Sequence, residues 1–451
     1  MGIEHVAIIG GGFSGALQAI NLLRHEGPRA TLIERRPVVG KGLAYGAAHP
    51  DHVLNVRAGN MSALPDDSGH FVRWLEARGV REAPSAFIPR LTYGIYLAEQ
   101  LAAAAARAPD RLRIVTGEVT DVIHDGTACV RFADGTTVRA DAAVLAVGNL
   151  PPHTPPGLRP ETLPGARYFG DPWDADIAAG LVDTDRVLII GSGLTAVDVA
   201  LMLEANGFGG EIVAMSRRGL LPRPHDRAGA AWQRINERPK LSASALVRRV
   251  RDRGTAIGWR QAVDELRPFT QAMWANASDA ERARFLRHLR PWWDVHRHRL
   301  APEVHDRLQA MIARGQLQVV AGKPARFEAT ATGVAVHWRP RGRDEEVVLP
   351  VTRIVNAIGP QGDLTRTAEP LLASLRERGL IRPDAAHLGI DVDASAATID
   401  GGGRASAWLY ALGPMTRGAF WEIVAVPDIR TQTWSLARRL SNAHWVGGEG
   451  L

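Results

Sequence analysis

Near its start the chain reads His5-Val6-Ala7-Ile8-Ile9, then Gly10-Gly11-Gly12-Phe13-Ser14-Gly15, and its apolar residues then recur at helical spacing to Leu23 before the apolar run Thr31-Leu32-Ile33-Glu34. A short apolar run, a glycine turn, a helix and a second apolar run in this order commit the chain to a strand, a crossover helix and a parallel strand. The glycines say what the turn is for. Gly10 permits a tight bend, Gly12 lets backbone approach a diphosphate, and Gly15 lets the helix close on the strand, while the helix N-terminus attracts the anion. Glu34 follows Gly15 by 19 residues and ends the second strand, where a carboxylate accepts two ribose hydroxyls. Glycines alone would be a weak signal; glycines in this context, with an acid at this distance, specify a bound dinucleotide.

The device recurs about 180 residues later as the strand Arg186 to Ile190, the turn and helix Gly191-Ser192-Gly193-Leu194-Thr195-Ala196-Val197-Asp198, and the strand Glu211 to Met215. Ala196 replaces the third glycine, which the pattern tolerates. Where the first unit has Glu34, the second has Ser216-Arg217-Arg218. A carboxylate there would repel a 2′-phosphate, whereas guanidiniums and a hydroxyl bind it through charge-assisted hydrogen bonds. The second unit therefore reads as an NADPH site contacted by Gly191, Gly193, Thr195, Ser216, Arg217 and Arg218. The alternative is that both arginines are solvated strand-end charges.

A chain of 451 residues exceeds what one core usually organises, so two domains are expected. The fold class is α/β: two Rossmann-type dinucleotide-binding domains with a helical insertion. After the strand Ala142 to Val147, Pro151-Pro152-His153-Thr154-Pro155-Pro156 carries the chain away, and after Val351 to Ala357 it returns. The expected division is 1–170 plus 355–451 for the first domain and 171–354 for the second. An insertion at about 220–315 would hold Trp232, Trp259, Trp274, Trp292 and Trp293, which either roof a site or pack the insertion down.

Composition removes several function classes. The 54 Lys and Arg against 48 Asp and Glu leave +6, dispersed as single arginines, so nucleic-acid binding is not expected. Such a surface attracts anionic substrates or cofactors. The single cysteine, Cys129, excludes an intrachain dithiol and a cysteine metal site. His296 and His298, two apart, do not share a helix face, so no metal is expected. No apolar run reaches membrane-spanning length and the first strand begins almost at once, so a cytoplasmic protein without membrane contact is expected. A homo-oligomer is compatible with the sequence. His225 and Asp226 lie on the loop leaving the second unit, either to reach a substrate or to cap a helix.

The chain resembles the FAD/NAD(P)-binding flavoproteins of the bacterial YdhS type, which are similar to flavin-dependent monooxygenases with paired Rossmann domains. The likeness runs through Gly10 to Gly15, Gly40-Lys41-Gly42-Leu43-Ala44-Tyr45, Leu54-Asn55-Val56, Gly191 to Asp198, Ser216-Arg217-Arg218-Gly219, Trp293-Asp294-Val295-His296-Arg297-His298-Arg299, Leu412-Gly413-Pro414-Met415-Thr416-Arg417-Gly418 and Val426-Pro427-Asp428-Ile429-Arg430. It implies FAD held by Gly10, Gly12, Ser14, Gly15, Glu34, Arg35, Lys41, Asn55, Val119, Gly148 and Gly413. It also implies a flavin ring beside Asn55, Arg57, the Gly413 turn and the helix after Pro427. Arg57 departs from the pattern, which has proline there; its guanidinium either binds an acidic substrate or is solvated.

The expected function is that of an FAD-dependent, NADPH-using oxidoreductase. The leading reading is a monooxygenase that hydroxylates a nitrogen or sulfur of a small molecule, such as an amino acid, with dioxygen through a flavin C4a-hydroperoxide. The alternatives are a reductase or dehydrogenase that does not activate oxygen, and a non-catalytic flavin redox sensor. Phe169-Gly170-Asp171-Pro172-Trp173 lacks the histidine of Baeyer–Villiger enzymes, which disfavours lactone formation.

Overall fold

The computed structural model describes residues 2–24, 27–227, 238–239 and 243–441; Trp232 lies outside them. The first sheet has six strands in the order Ala397–Ile399, Ala405–Ala411, Ala142–Leu145, His5–Ile9, Arg29–Glu34 and Leu112–Thr116. All pairs are parallel except the outermost, Ala397–Ile399 with Ala405–Ala411. Alternation along His5–Ile9 sends Val6 and Ile8 to one face and Ala7 and Ile9 to the other, and both faces are buried. Helices Phe13–Arg24, Arg90–Arg107 and Val426–Leu440 cover the first face. A three-stranded antiparallel sheet, Val119–His124, Ala128–Phe132 and Thr137–Ala140, covers the second.

The second sheet has seven strands in the order Val347–Val351, Val334–Pro340, Leu317–Ala329, Glu211–Ser216, Arg186–Ile190, Arg353–Asn356 and Tyr168–Phe169. Its parallel core runs from Leu317–Ala329 to Tyr168–Phe169, and an antiparallel pair extends one edge. Domain crossings fall slightly outside positions 170 and 355. Ile354 pairs with Tyr168 and Val355 with Phe169, so both short strands belong to the second sheet.

The helical insertion is shorter than 220–315. Helix Pro302–Ala313 buries Val304, Leu308 and Met311 beside Ile212 and Leu317 and delivers the chain into a strand parallel to Glu211–Ser216. It is therefore the crossover helix of the second domain, and the insertion proper ends before it. Helices Ala243–Ile257, Trp259–Asp264, Thr270–Asn276, Asp279–Arg284 and Arg290–Arg297 remain in the insertion. Trp274 anchors it: the ring stacks on Trp421 at 4.7 Å and Nε1 donates to the Gly418 carbonyl at 2.8 Å. For Trp274 the packing alternative applies, whereas Trp292 stays 43% exposed beneath the Arg218 guanidinium.

Candidate functional site

The first glycine loop is shaped by close backbone approach. Gly10 has φ +105°, and a Cβ there would sit 2.3 Å from the Ala146 carbonyl oxygen. A Cβ on Gly15 would sit 1.8 Å from the Gly10 oxygen, so this helix seats on this strand only because residue 15 has no side chain. The space opens above the loop. A Cβ at Gly12 would approach only the Gly42 Cα, at 3.4 Å, and one at Gly148 would meet nothing within 4 Å. The first amides of helix Phe13–Arg24, which begins at this loop, have no intrahelical partners. Glu34 Oε2 accepts from the Gly11 amide at 2.8 Å and Oε1 from the Arg36 amide at 3.1 Å, which fixes the carboxylate at the rim with lone pairs to spare. A crowded floor, an open top, free amides and a fixed carboxylate fit a dinucleotide.

Other sequence-nominated residues gather here to different degrees. Lys41 precedes Gly42, which abuts Gly12. Val119 is buried on the strand entered just after Gly117, whose amide donates to the Glu34 carbonyl. Gly413, with φ +74°, lies against Ser14, and its amide donates to Gln432 Oε1 at 2.8 Å. Arg35 forms an ion pair with Glu369 at 3.0 Å. Arg57 is half-buried where the two domains meet. Its guanidinium donates to the Ser85 and Asp226 carbonyls at 2.6 and 2.5 Å and lies over the Phe87 ring, tying one domain to the other.

The second loop repeats the first. Gly191 has φ +131°, and a Cβ there would meet the Ala357 oxygen at 2.2 Å, while one at Gly193 would meet nothing within 4 Å. The Ser192 hydroxyl is hydrogen-bonded to that of Ser216 at 2.7 Å and to the Leu220 carbonyl at 2.6 Å, locking the loop to the strand end. Thr195 is half-buried in the first helical turn. Arg217 is exposed beside the loop, and no ion pair among the described residues engages it.

Between the domains, Arg90 pairs with Asp198 at 2.8 Å with both side chains largely buried. His52 Nε2–H donates to the Asp198 carbonyl and His225 Nε2–H to the Asn55 carbonyl, each at 2.9 Å. Both histidines are held below their usual range. Burial is the main cause, and His225 is pushed to about 4 with help from the Arg299 and Arg57 guanidiniums. Asn55, Arg90, Leu194 and Asp198 line a cavity of about 10 Å³, the room of a single water.

The motifs at 293–299, 412–418 and 426–430 converge in space, which their spacing along the chain does not announce. Arg267, Arg290, Asp294, Arg297 and His298 of the insertion meet Arg417, Glu422 and Asp428 of the first domain. Burial raises the Asp294 and Asp428 carboxyls, lowers Arg417 to about 10, and, reinforced by four guanidiniums, pushes His298 to about 3. His298 is thus neutral and Arg417 charged at neutral pH. No group of three His, Cys, Asp or Glu able to hold a metal occurs among the described residues.

Residues 7–150 match a family model described as FAD-NAD(P)-binding. They form an FAD-NAD(P)-binding domain. An uncharacterised protein of Mycobacterium tuberculosis is 24% identical over 406 residues, covering 78% of this chain and 73% of that protein. Among solved structures, an ornithine hydroxylase from Pseudomonas aeruginosa superposes with TM-score 0.67 at 15% identity, covering 98% of this chain and 99% of that one. An L-lysine 6-monooxygenase from Pseudomonas syringae gives 0.65 at 17%, covering 97% and 99%. A cadaverine monooxygenase from Erwinia amylovora, bound to FAD, gives 0.67 at 14%, covering 98% and 95%. The chain thus has the fold of two-domain flavoproteins along nearly its whole length. No helix among the described residues is long and apolar enough to cross a membrane.

Proposed function

We propose that the protein is an FAD-dependent monooxygenase that uses NADPH and dioxygen to hydroxylate a nitrogen or sulfur of a small molecule. The observation that carries this reading is the pair of matched glycine loops with opposite strand-end chemistry, Glu34 on one and Ser216-Arg217-Arg218 on the other. Two loops of this kind bind two nucleotides, which a sensor does not need. FAD is assigned to Gly10, Gly12, Ser14, Gly15 and Glu34, with Lys41, Val119, Gly148 and Gly413 around them, and NADPH to Gly191, Gly193, Thr195, Ser216, Arg217 and Arg218. Bound FAD would supply the redox chemistry, taking hydride from NADPH and, once reduced, reacting with dioxygen.

The chain's own part is position and field. Backbone amides of the two first helical turns hold the diphosphates, Glu34 orients a ribose, and the exposed Arg217 selects a 2′-phosphate. Cys129 is the sole cysteine and is buried, so reducing equivalents cannot leave through a dithiol of this chain. The likeness to enzymes named for ornithine, lysine and cadaverine supports an amine-bearing substrate.

The test is oxygen consumption by FAD-loaded protein with NADPH, with and without L-ornithine, L-lysine and cadaverine, alongside assays for the hydroxylamine product. Substrate-stimulated uptake with stoichiometric hydroxylamine supports the proposal. Rapid anaerobic bleaching of the flavin without substrate-dependent oxygen use would instead identify a reductase, and no bleaching at all a sensor.

A further inference from the structure

The charged cluster that joins the insertion to residues 417–428 contains more polar groups than it satisfies. The Glu422 side chain is 2% exposed, yet neither carboxylate oxygen has a hydrogen-bond partner among the described residues. Its nearest cation, Arg297 Nε, stands at 3.4 Å and is itself without a hydrogen bond. Asp294 Oδ1 and Arg417 Nε, of the same cluster, are likewise buried without a hydrogen bond among the described residues. A buried polar atom without a partner costs about 1–3 kcal/mol, and more if charged, so such a concentration in one spot calls for a bound partner.

The charges say which partner. Arg267 pairs with Asp428, Arg290 with Asp294 at 3.4 Å, and Arg297 with Glu422. Arg417 is the fourth guanidinium and makes no close ion pair among the described residues; it lies over the Trp421 ring at 4.3 Å, and its Nε has no hydrogen bond. The cluster therefore holds one positive charge in excess, beside a buried carboxylate that can only accept. The segment bearing Arg417 and Glu422 starts at Gly413, against Ser14 of the cofactor loop, and ends at helix Val426–Leu440.

We propose that this cluster is a binding site for a small carboxylic acid of net charge −1. Its carboxylate is taken by Arg417, and an adjacent uncharged N–H or O–H donor is taken by Glu422. The assignment does not take this ligand to be the molecule oxidised, and the binding itself needs neither NADPH nor the redox chemistry.

Trp421 and Trp274, stacked beneath Arg417, are built-in reporters. Intrinsic fluorescence and thermal shift of the FAD-loaded protein would be titrated, without NADPH, with lactate, N-acetylglycine, acetate, glycine and lactamide. Lactate and N-acetylglycine are expected to bind at least tenfold more tightly than glycine and lactamide, with acetate between. Glu422→Gln is expected to fold with an unchanged or raised Tm and to lose the thermal shift. Arg417→Lys, which keeps the charge but not the planar fork, is expected to weaken binding about tenfold. No saturable response to any carboxylate, equal binding of glycine and N-acetylglycine, or a Glu422→Gln variant that loses stability but binds normally would overturn the proposal. Flavin bleaching by NADPH, measured separately, reports on the redox reading whatever the titrations give.

Discussion

Glu34 and Arg217 occupy the same station on two copies of one strand-loop-helix device and carry opposite charge. Glu34 was readable from spacing because the fingerprint is local, and the structure adds that Gly11 and Arg36 amides hold its carboxylate. Arg217 is exposed and engaged by no described acid, so replacing it touches little besides a ligand. Arg217→Ala should raise the KM for NADPH roughly tenfold to a hundredfold, the worth of one charged hydrogen-bonded contact, and leave the KM for NADH within about twofold. Paired steady-state assays with the two nucleotides decide it; equal effects would return Arg217 to the class of solvated charges. Arg57 and the Arg297–Glu422 pair were not legible in the sequence for one reason. Their partners lie far away along the chain, and no local pattern announces which guanidinium meets which carbonyl or carboxylate.

At the scale of elements, glycine placement carries the architecture of both loops. Gly15→Ala would force a Cβ to within 1.8 Å of the Gly10 oxygen, so the helix must lift from the sheet and the diphosphate seat opens. The variant is expected to purify without flavin and lose roughly 2–4 kcal/mol of stability, read from the absorbance spectrum and denaturant melts. Gly12→Ala, at a roomier position, should cost cofactor affinity far more than stability. The strands flanking both glycine turns, the turns themselves and helix Phe13–Arg24 were legible because each announces itself within about ten residues, whereas helix Arg90–Arg107 and the strands between Val119 and Ala140 were not assigned. Helix Pro302–Ala313 was not assigned correctly. Its amphipathic pattern shows that one face is buried but not against what, and only pairing of the next strand with Glu211–Ser216 reveals it as a crossover. The domain edges slipped for a similar reason, since Tyr168–Phe169 is defined as a strand only by its remote partner.

For the whole molecule, two of the contacts between the domains are made by buried histidines, His52 to the Asp198 carbonyl and His225 to the Asn55 carbonyl. His225 titrates at about 4 in the folded protein, against about 6.5 when unfolded. Below about 6.5 the unfolded chain therefore takes up a proton that the folded one refuses, and stability falls as pH drops from there toward 4. The loss from His225 alone reaches about 3 kcal/mol at the low end, and His52, lowered for the same reason of burial, adds in the same direction. Melting temperatures across pH 7.5 to 5 should decline steeply in the wild type and less so in His225→Gln, whose amide can still donate to Asn55. A parallel decline in both would remove His225 from the account.

Gly10 against Ala146 and Gly191 against Ala357 are the same steric solution reached at two addresses in one chain, with nearly equal clearances of 2.3 and 2.2 Å. The two halves therefore separate what is negotiable from what is not. Scaffold positions are enclosed by main chain and admit no alternative residue, whereas nucleotide choice is written on a few rim side chains that contact little else. A lineage carrying this architecture is free to rewrite its cofactor economy at positions 216–218 by single substitutions, while drift at positions 10, 15 or 191 is closed to it.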